Sequence, residues 1–235
     1  MEQLIEGIVQ SVRPDQRTLI AISGHGAAGK STLSEKLRER LGDINLLHTD
    51  PYIIDSQLRK QTILTYQHDG TTHQYKMTAC HPAAHHLLSL ERDVRMIREG
   101  IGFYTIDVPY LERTWIDPEK PITIIEGMSV AFLDLSSFDQ SIYLYTDGET
   151  EFKRRSHRDI QERGMELDYL HASHVERRLQ YELFMHPYRH HFQTIVNTSK
   201  DGIQIEKPLT WSGDCVTYLE CRDRVVPVRA RAAPR

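Results

Sequence analysis

Cysteine is scarce: Cys80, Cys215 and Cys221 are the only three in 235 residues. Their wide spacing supports no disulfide framework, and without a CxxC pair they form no thiolate zinc site, so reduced thiols are expected. Long apolar runs are missing too, since none approaches the roughly 20 residues that cross a bilayer. The start, Met1-Glu2-Gln3-Leu4-Ile5-Glu6, lacks a basic segment leading into an apolar core. A soluble, cytoplasmic protein with no membrane partner is expected. Nor is there an excess of basic charge, because 29 Lys and Arg against 33 Asp and Glu leave a net charge of -4. No global field therefore draws nucleic acid, and any phosphate site has to be local.

Histidine is plentiful, with 13 copies, and His81/His85 and His186/His190 stand four residues apart. Pro82 and Pro187 follow the first member of each pair and interrupt the helix that would align the rings. No carboxylate stands at HExxH spacing, so a histidine metal site is not expected.

A chain of this length buries one substantial core. Leu4, Ile5, Ile8, Val9 and Val12 recur at helical spacing before a strand at Thr18-Leu19-Ile20-Ala21-Ile22-Ser23. Leu33, Leu37 and Leu41 mark a helix closed by Gly42, and Asn45-Leu46-Leu47-His48 reads as a strand. Residues 55–80 are polar, with Asp69-Gly70 as a turn and no clear period, which suggests a substrate flap. A helix from Leu87 ends at Gly100, and residues 101–108 have extended character. Buried strands are expected at 122–125 and 141–145, charged helices at 149–163 and 169–185, and a last strand at 194–197. The alternation predicts an α/β, three-layer sandwich with a mostly parallel sheet, whose ligands lie at the carboxyl ends of the strands. The expected domain spans 1–202, with residues 203–235 a loosely attached tail.

The chemistry starts at Gly24-His25-Gly26-Ala27-Ala28-Gly29-Lys30-Ser31-Thr32, which matches GxxxxGK[ST] between a predicted strand and a predicted helix. Glycines let amide N–H groups converge on phosphate oxygens, and the helix N-terminus adds partial positive charge. Lys30 is placed to reach the β- and γ-phosphates, and Ser31 to hold Mg²⁺. This phosphate-binding P-loop predicts an NTPase-type fold. Asp50 ends the next strand, where a carboxylate orients and deprotonates an incoming hydroxyl. Glu126-Gly127 follows the strand at 122–125, the place of an acid that holds Mg²⁺. Arg154, Arg155, Arg158 and Arg163 lie on a charged helix, where the intervals of three and four from Arg155 and Arg154 to Arg158 put several guanidinia on one side. They suit either a lid over phosphate, about 149–168, or a solvated face neutralised by Glu149, Glu151, Asp159 and Glu162.

Over residues 18–200 the chain resembles the uridine kinase and phosphoribulokinase group of P-loop kinases. Ile20-Ala21-Ile22-Ser23-Gly24 through Thr32 is similar to its P-loop, and Thr49-Asp50-Pro51-Tyr52 to its acidic base and adjacent aromatic. His81-Pro82-Ala83-Ala84 resembles its entry to the next helix, and Ile124-Ile125-Glu126-Gly127 its strand-ending acid. Arg154-Arg155-Ser156-His157-Arg158-Asp159-Ile160-Gln161-Glu162-Arg163-Gly164 is similar to its arginine-rich lid. Pro51, Cys80 and Leu111-Glu112-Arg113-Thr114-Trp115 depart from the group's pattern, all on the acceptor side.

The resemblance implies ATP-dependent phosphorylation of a hydroxyl on a nucleoside or related small polyol, with Asp50 as base and Lys30, Arg155 and Arg158 on phosphate. Gly24 through Thr32, Arg154 and Arg163 would bind nucleotide. Ser31 and Glu126 would hold Mg²⁺, and Tyr52, Tyr110 and Arg113 are the candidate acceptor contacts. The expected partner is a small-molecule hydroxyl acceptor, and homo-oligomerisation is left open. The alternative is a nucleotide-binding module or ATPase without an acceptor. A GTPase is disfavoured, because Asn197-Thr198-Ser199-Lys200-Asp201 lacks the NKxD spacing.

Overall fold

The computed structural model describes residues 1–13, 16–163 and 167–207, without the side chains of 158–163, 167–169, 172 and 201. Helix α1 (Glu2–Ser11) leads into β1 (Thr18–Gly24), α2 (Lys30–Leu41) and β2 (Asn45–His48). Residues 55–80 hold α3 (Ser56–Gln61) and the antiparallel pair β3 (Ile63–His68) and β4 (Thr71–Lys76). Next come α4 (Leu87–Arg98) and a short pair, β5 (Phe103–Tyr104) with β6 (Trp115–Ile116). Strands β7 (Ile122–Glu126) and β8 (Gln140–Tyr145) precede helices α5 (Gly148–Arg163) and α6 (Leu167–Phe184). Strands β9 (Thr194–Asn197) and β10 (Gln204–Lys207) close the described chain.

Six strands form the central sheet in the order β10-β9-β8-β1-β7-β2, parallel except for the antiparallel edge strand β10. Alternate residues of one strand face opposite layers. Ile20 and Ile22 of β1 pack with Leu4, Ile5 and Ile8 of α1 and Leu33 and Leu37 of α2. Leu19 and Ala21 pack on the other side with Leu90, Val94 and Ile97 of α4, Tyr181 of α6 and Met185 just after it. The expected three-layer α/β sandwich is thereby formed, each fully buried Leu or Ile contributing about 1.5–3 kcal/mol. No helix among the described residues is long and apolar enough to cross a membrane.

Three regions differ from expectation. In the region expected to lack a clear period, Leu64 and Tyr66 alternate inward as a strand and pack on Leu183 and Phe184. Two inward residues are too short a pattern to stand out among polar neighbours. Of residues 101–108, only Phe103 and Tyr104 form a strand. At the C-terminal end the sheet continues past residue 202, because β10 pairs with β9; residues 208–235 lie outside the described residues.

Strand β1 ends against β8 with almost no clearance. A Cβ on Gly24, whose φ is +141°, would stand 1.9 Å from the Leu144 carbonyl oxygen. Gly24→Ala is therefore expected to cost at least about 3–5 kcal/mol, or to abolish cooperative unfolding, in urea denaturation.

Candidate active site

After Gly24 the chain leaves the sheet, passes Ala27 in the left-handed region (φ 65°), and enters α2 through Gly29 at φ 93°. The P-loop N–H groups and the start of α2 thus share one wall of a cavity of about 700 Å³. Gly26 through Thr32, Asp50, Glu126, Glu151, Arg154 and Arg155 all line it. Lys30 lies along the P-loop, its Nζ donating to the His25 carbonyl at 3.1 Å.

Parallel register brings the acidic side in. Glu126 pairs with Ile22 of β1 and with His48 of β2. Adjacent parallel residues face the same way, so His48 Nδ1 meets Glu126 Oε1 at 2.8 Å. Ser31 Oγ donates to the same oxygen at 3.2 Å. Burial alone would raise the Glu126 carboxyl, but the His48 hydrogen bond, the Lys30 charge and the Ser31 hydroxyl hold it below the usual carboxylate range. The Glu126 hydrogen bond in turn raises the His48 imidazole against the opposing effect of burial. Glu126 Oε2 is buried and has no hydrogen-bond partner. An ionised oxygen left bare beside a serine hydroxyl fits a divalent cation, which takes hard oxygen donors.

Asp50 opens a short turn, Asp50–Tyr52, and is exposed to the cavity. The Tyr110 hydroxyl donates to the Asp50 backbone carbonyl at 3.4 Å, so this exposed tyrosine stands next to that turn without itself lining the cavity. The other two acceptor candidates are not brought in. Tyr52 is fully buried and donates its hydroxyl to buried Asp93. It follows the inward turn after Pro51 and serves the core under α4. Arg113 is exposed and lies over the Tyr104 ring, 5.2 Å from its centroid, and does not line the cavity. Its place within the β5–β6 connection was not legible from spacing.

The arginine helix is α5, whose base adjoins the P-loop. Arg154 donates to the Ala27 carbonyl at 3.3 Å and the Thr198 carbonyl at 2.8 Å, bracing the helix against the loop and the end of β9. Arg155 meets Glu151 at 3.3 Å. Arg158 and Arg163 belong to α5, but their side chains lie outside the described residues.

His48, His25, Glu151 and Thr198 are site residues that the sequence reading did not single out in these roles. The interval of four between Glu151 and Arg155 was a usable signal for their pairing. Nothing in the sequence marked His48 as the partner of Glu126, because that contact needs the strand order.

Tyr52→Phe tests the reassignment of that ring. Leaving Asp93 without its hydroxyl donor is expected to cost about 1–3 kcal/mol in urea unfolding, with the KM for the acceptor unchanged. A raised KM at unchanged stability would restore Tyr52 to the acceptor site.

Comparison with known proteins agrees with this geometry. The family model described as Phosphoribulokinase / Uridine kinase family matches residues 19–202. The chain is 30% identical over 201 residues to the uridine kinase of Escherichia coli (strain K12), covering 77% of this chain and 87% of that protein. It is 28% identical over 200 residues to the uridine kinase of Serratia proteamaculans (strain 568), covering 78% and 88%. The solved phosphoribulokinase from Rhodobacter spheroides shares the fold at a TM-score of 0.54 and 14% identity, over 77% of this chain and 70% of that one. With the P-loop, Glu126 and the base of α5 around one cavity, the chain belongs to the phosphoribulokinase/uridine kinase family and is an ATP-dependent small-molecule kinase.

Proposed function

We propose that the cavity binds ATP·Mg²⁺ and that Asp50 orients and deprotonates the hydroxyl of a nucleoside or related small polyol. The carrying observation is that Asp50 lines the same cavity as Lys30, Ser31 and Glu126. A nucleoside is the favoured acceptor because the chain covers 87% of a relative named uridine kinase.

In this reading the P-loop N–H groups and the α2 N-terminus bind the phosphates. Lys30 swings from the His25 carbonyl onto the transferring group, and Ser31 with Glu126 Oε2 would hold the cation. Magnesium, when bound, neutralises charge on the β- and γ-phosphates. Asp50 takes the acceptor proton, while Arg155 and Arg158 stabilise the equatorial oxygens from α5. Arg154 and Arg163 brace the nucleotide side. Tyr110 confines the acceptor next to Asp50. Helix α5 acts as the lid, excluding water, and the β3–β4 hairpin as the flap over the acceptor.

The test is ADP release from ATP·Mg²⁺ with nucleosides, pantothenate, sugar phosphates and simple polyols, beside a control without acceptor. Acceptor-dependent turnover is expected, highest with a nucleoside, and Asp50→Asn should lower it by about 10² or more while leaving ATP binding nearly intact. Equal ADP release without acceptor would refute the assignment.

A further inference from the structure

Glu151 sits in the first turns of the lid helix, only 3% exposed, yet it lines the cavity that takes the triphosphate. A buried carboxylate facing a phosphate site is costly on two counts, desolvation and repulsion. Its retention there needs a reason beyond solubility.

Its contacts close a ring through four parts of the fold. Glu151 Oε2 lies 3.3 Å from Arg178 Nη1 of α6 and 3.6 Å from His25 Nδ1 of the P-loop. The same Arg178 nitrogen donates to the Thr146 carbonyl at 2.9 Å, at the end of β8. The Thr146 N–H donates to His25 Nε2 at 3.0 Å, which leaves the ring proton on Nδ1, towards the Gly26 carbonyl at 2.8 Å and the Glu151 carboxylate. Arg155 hangs from the ring's free corner, its Nη1 3.3 Å from Glu151 Oε1. Burial alone would raise the Glu151 carboxyl, but His25 and Arg155 hold it at about 2, so the anion persists at neutral pH.

We propose that Glu151 is a positioning residue of the transfer reaction: it holds the Arg155 guanidinium at the cavity wall and ties the root of the lid helix to the phosphate cradle. The proposal rests on the reading of this cavity as the ATP site. An unheld arginine loses rotamer freedom when it meets phosphate, whereas one already paired on its own helix loses less. The charges give a discriminating sign. Removing the Glu151 anion takes one negative charge from beside the cradle, while Arg178 keeps its pair with Glu182 at 2.8 Å. If Glu151 acted by charge alone, its loss would tighten triphosphate binding. Acting through Arg155, its loss weakens the preference for a γ-phosphate.

The test is equilibrium binding of a non-hydrolysable ATP analogue and of ADP, each with Mg²⁺ and without acceptor, so that it stands apart from the identity of the acceptor. Wild type, Glu151→Gln, Arg155→Gln and the double variant form a cycle. The ratio of analogue to ADP affinity is expected to fall about 10-fold in each single variant and no further in the double. Glu151→Asp, which keeps the charge but shortens the arm, should lower the ratio less. An unchanged or raised ratio in Glu151→Gln, or additive losses in the double variant, would overturn the proposal. Circular dichroism and thermal unfolding check each variant. If neither Glu151 variant retains wild-type secondary structure, Glu151 is a folding residue and the proposal falls. Failure of the wild type to bind either nucleotide would remove the ATP-site reading itself.

Discussion

Two close approaches of glycine backbone at the carboxyl edge of the sheet carry the rest of the site. At Gly24 the chain passes the Leu144 carbonyl so closely that a Cβ would stand 1.9 Å away, and at Gly127 a Cβ would stand 2.0 Å from Thr49 Oγ1. Both glycines sit at φ near +140°, 141° and 144°, a conformation that side-chain-bearing residues rarely adopt. The clearance lets β1, β7 and β8 end level, with β2 alongside, so that P-loop, Glu126 and Asp50 emerge together. Ligand binding at the carboxyl edge of a parallel sheet follows from this convergence.

Around that edge the charges are balanced rather than uniformly basic. Lys30 faces Glu126, and Glu151 stands between Arg155 and Arg178. Such pairing keeps a cavity of like charges from being paid for in stability, and it fixes side chains before the substrate arrives. Glu126 keeps one buried oxygen unpartnered, whereas both oxygens of Glu151 are occupied. The first suits a ligand for a cation, the second an anion that holds its arginines in place.

Much of this was legible in the sequence. The P-loop glycines, Lys30 and Ser31 carry a local pattern, and Asp50 and Glu126 follow short apolar strands, so their positions needed only strand ends and not strand order. The core was legible wherever the period was long, as in Leu33, Leu37 and Leu41. Contacts that depend on register were hidden, above all His48 with Glu126 and His25 with Glu151. Tyr52 was misplaced because a residue beside the candidate base Asp50 can turn inward as readily as outward, and only packing against Asp93 decides which. Arg113 went astray for a related reason, since the chain beyond Pro109 takes a course that no periodicity announced.

The most direct measurement is calorimetric titration of ATP with and without Mg²⁺ into the wild type and Glu126→Gln. The bare buried oxygen of Glu126 implies that Mg²⁺ tightens ATP binding to the wild type by about 10-fold or more, and that most of this gain disappears in the variant. An equal gain from Mg²⁺ in both proteins would contradict the placement of Glu126 at the centre of the site.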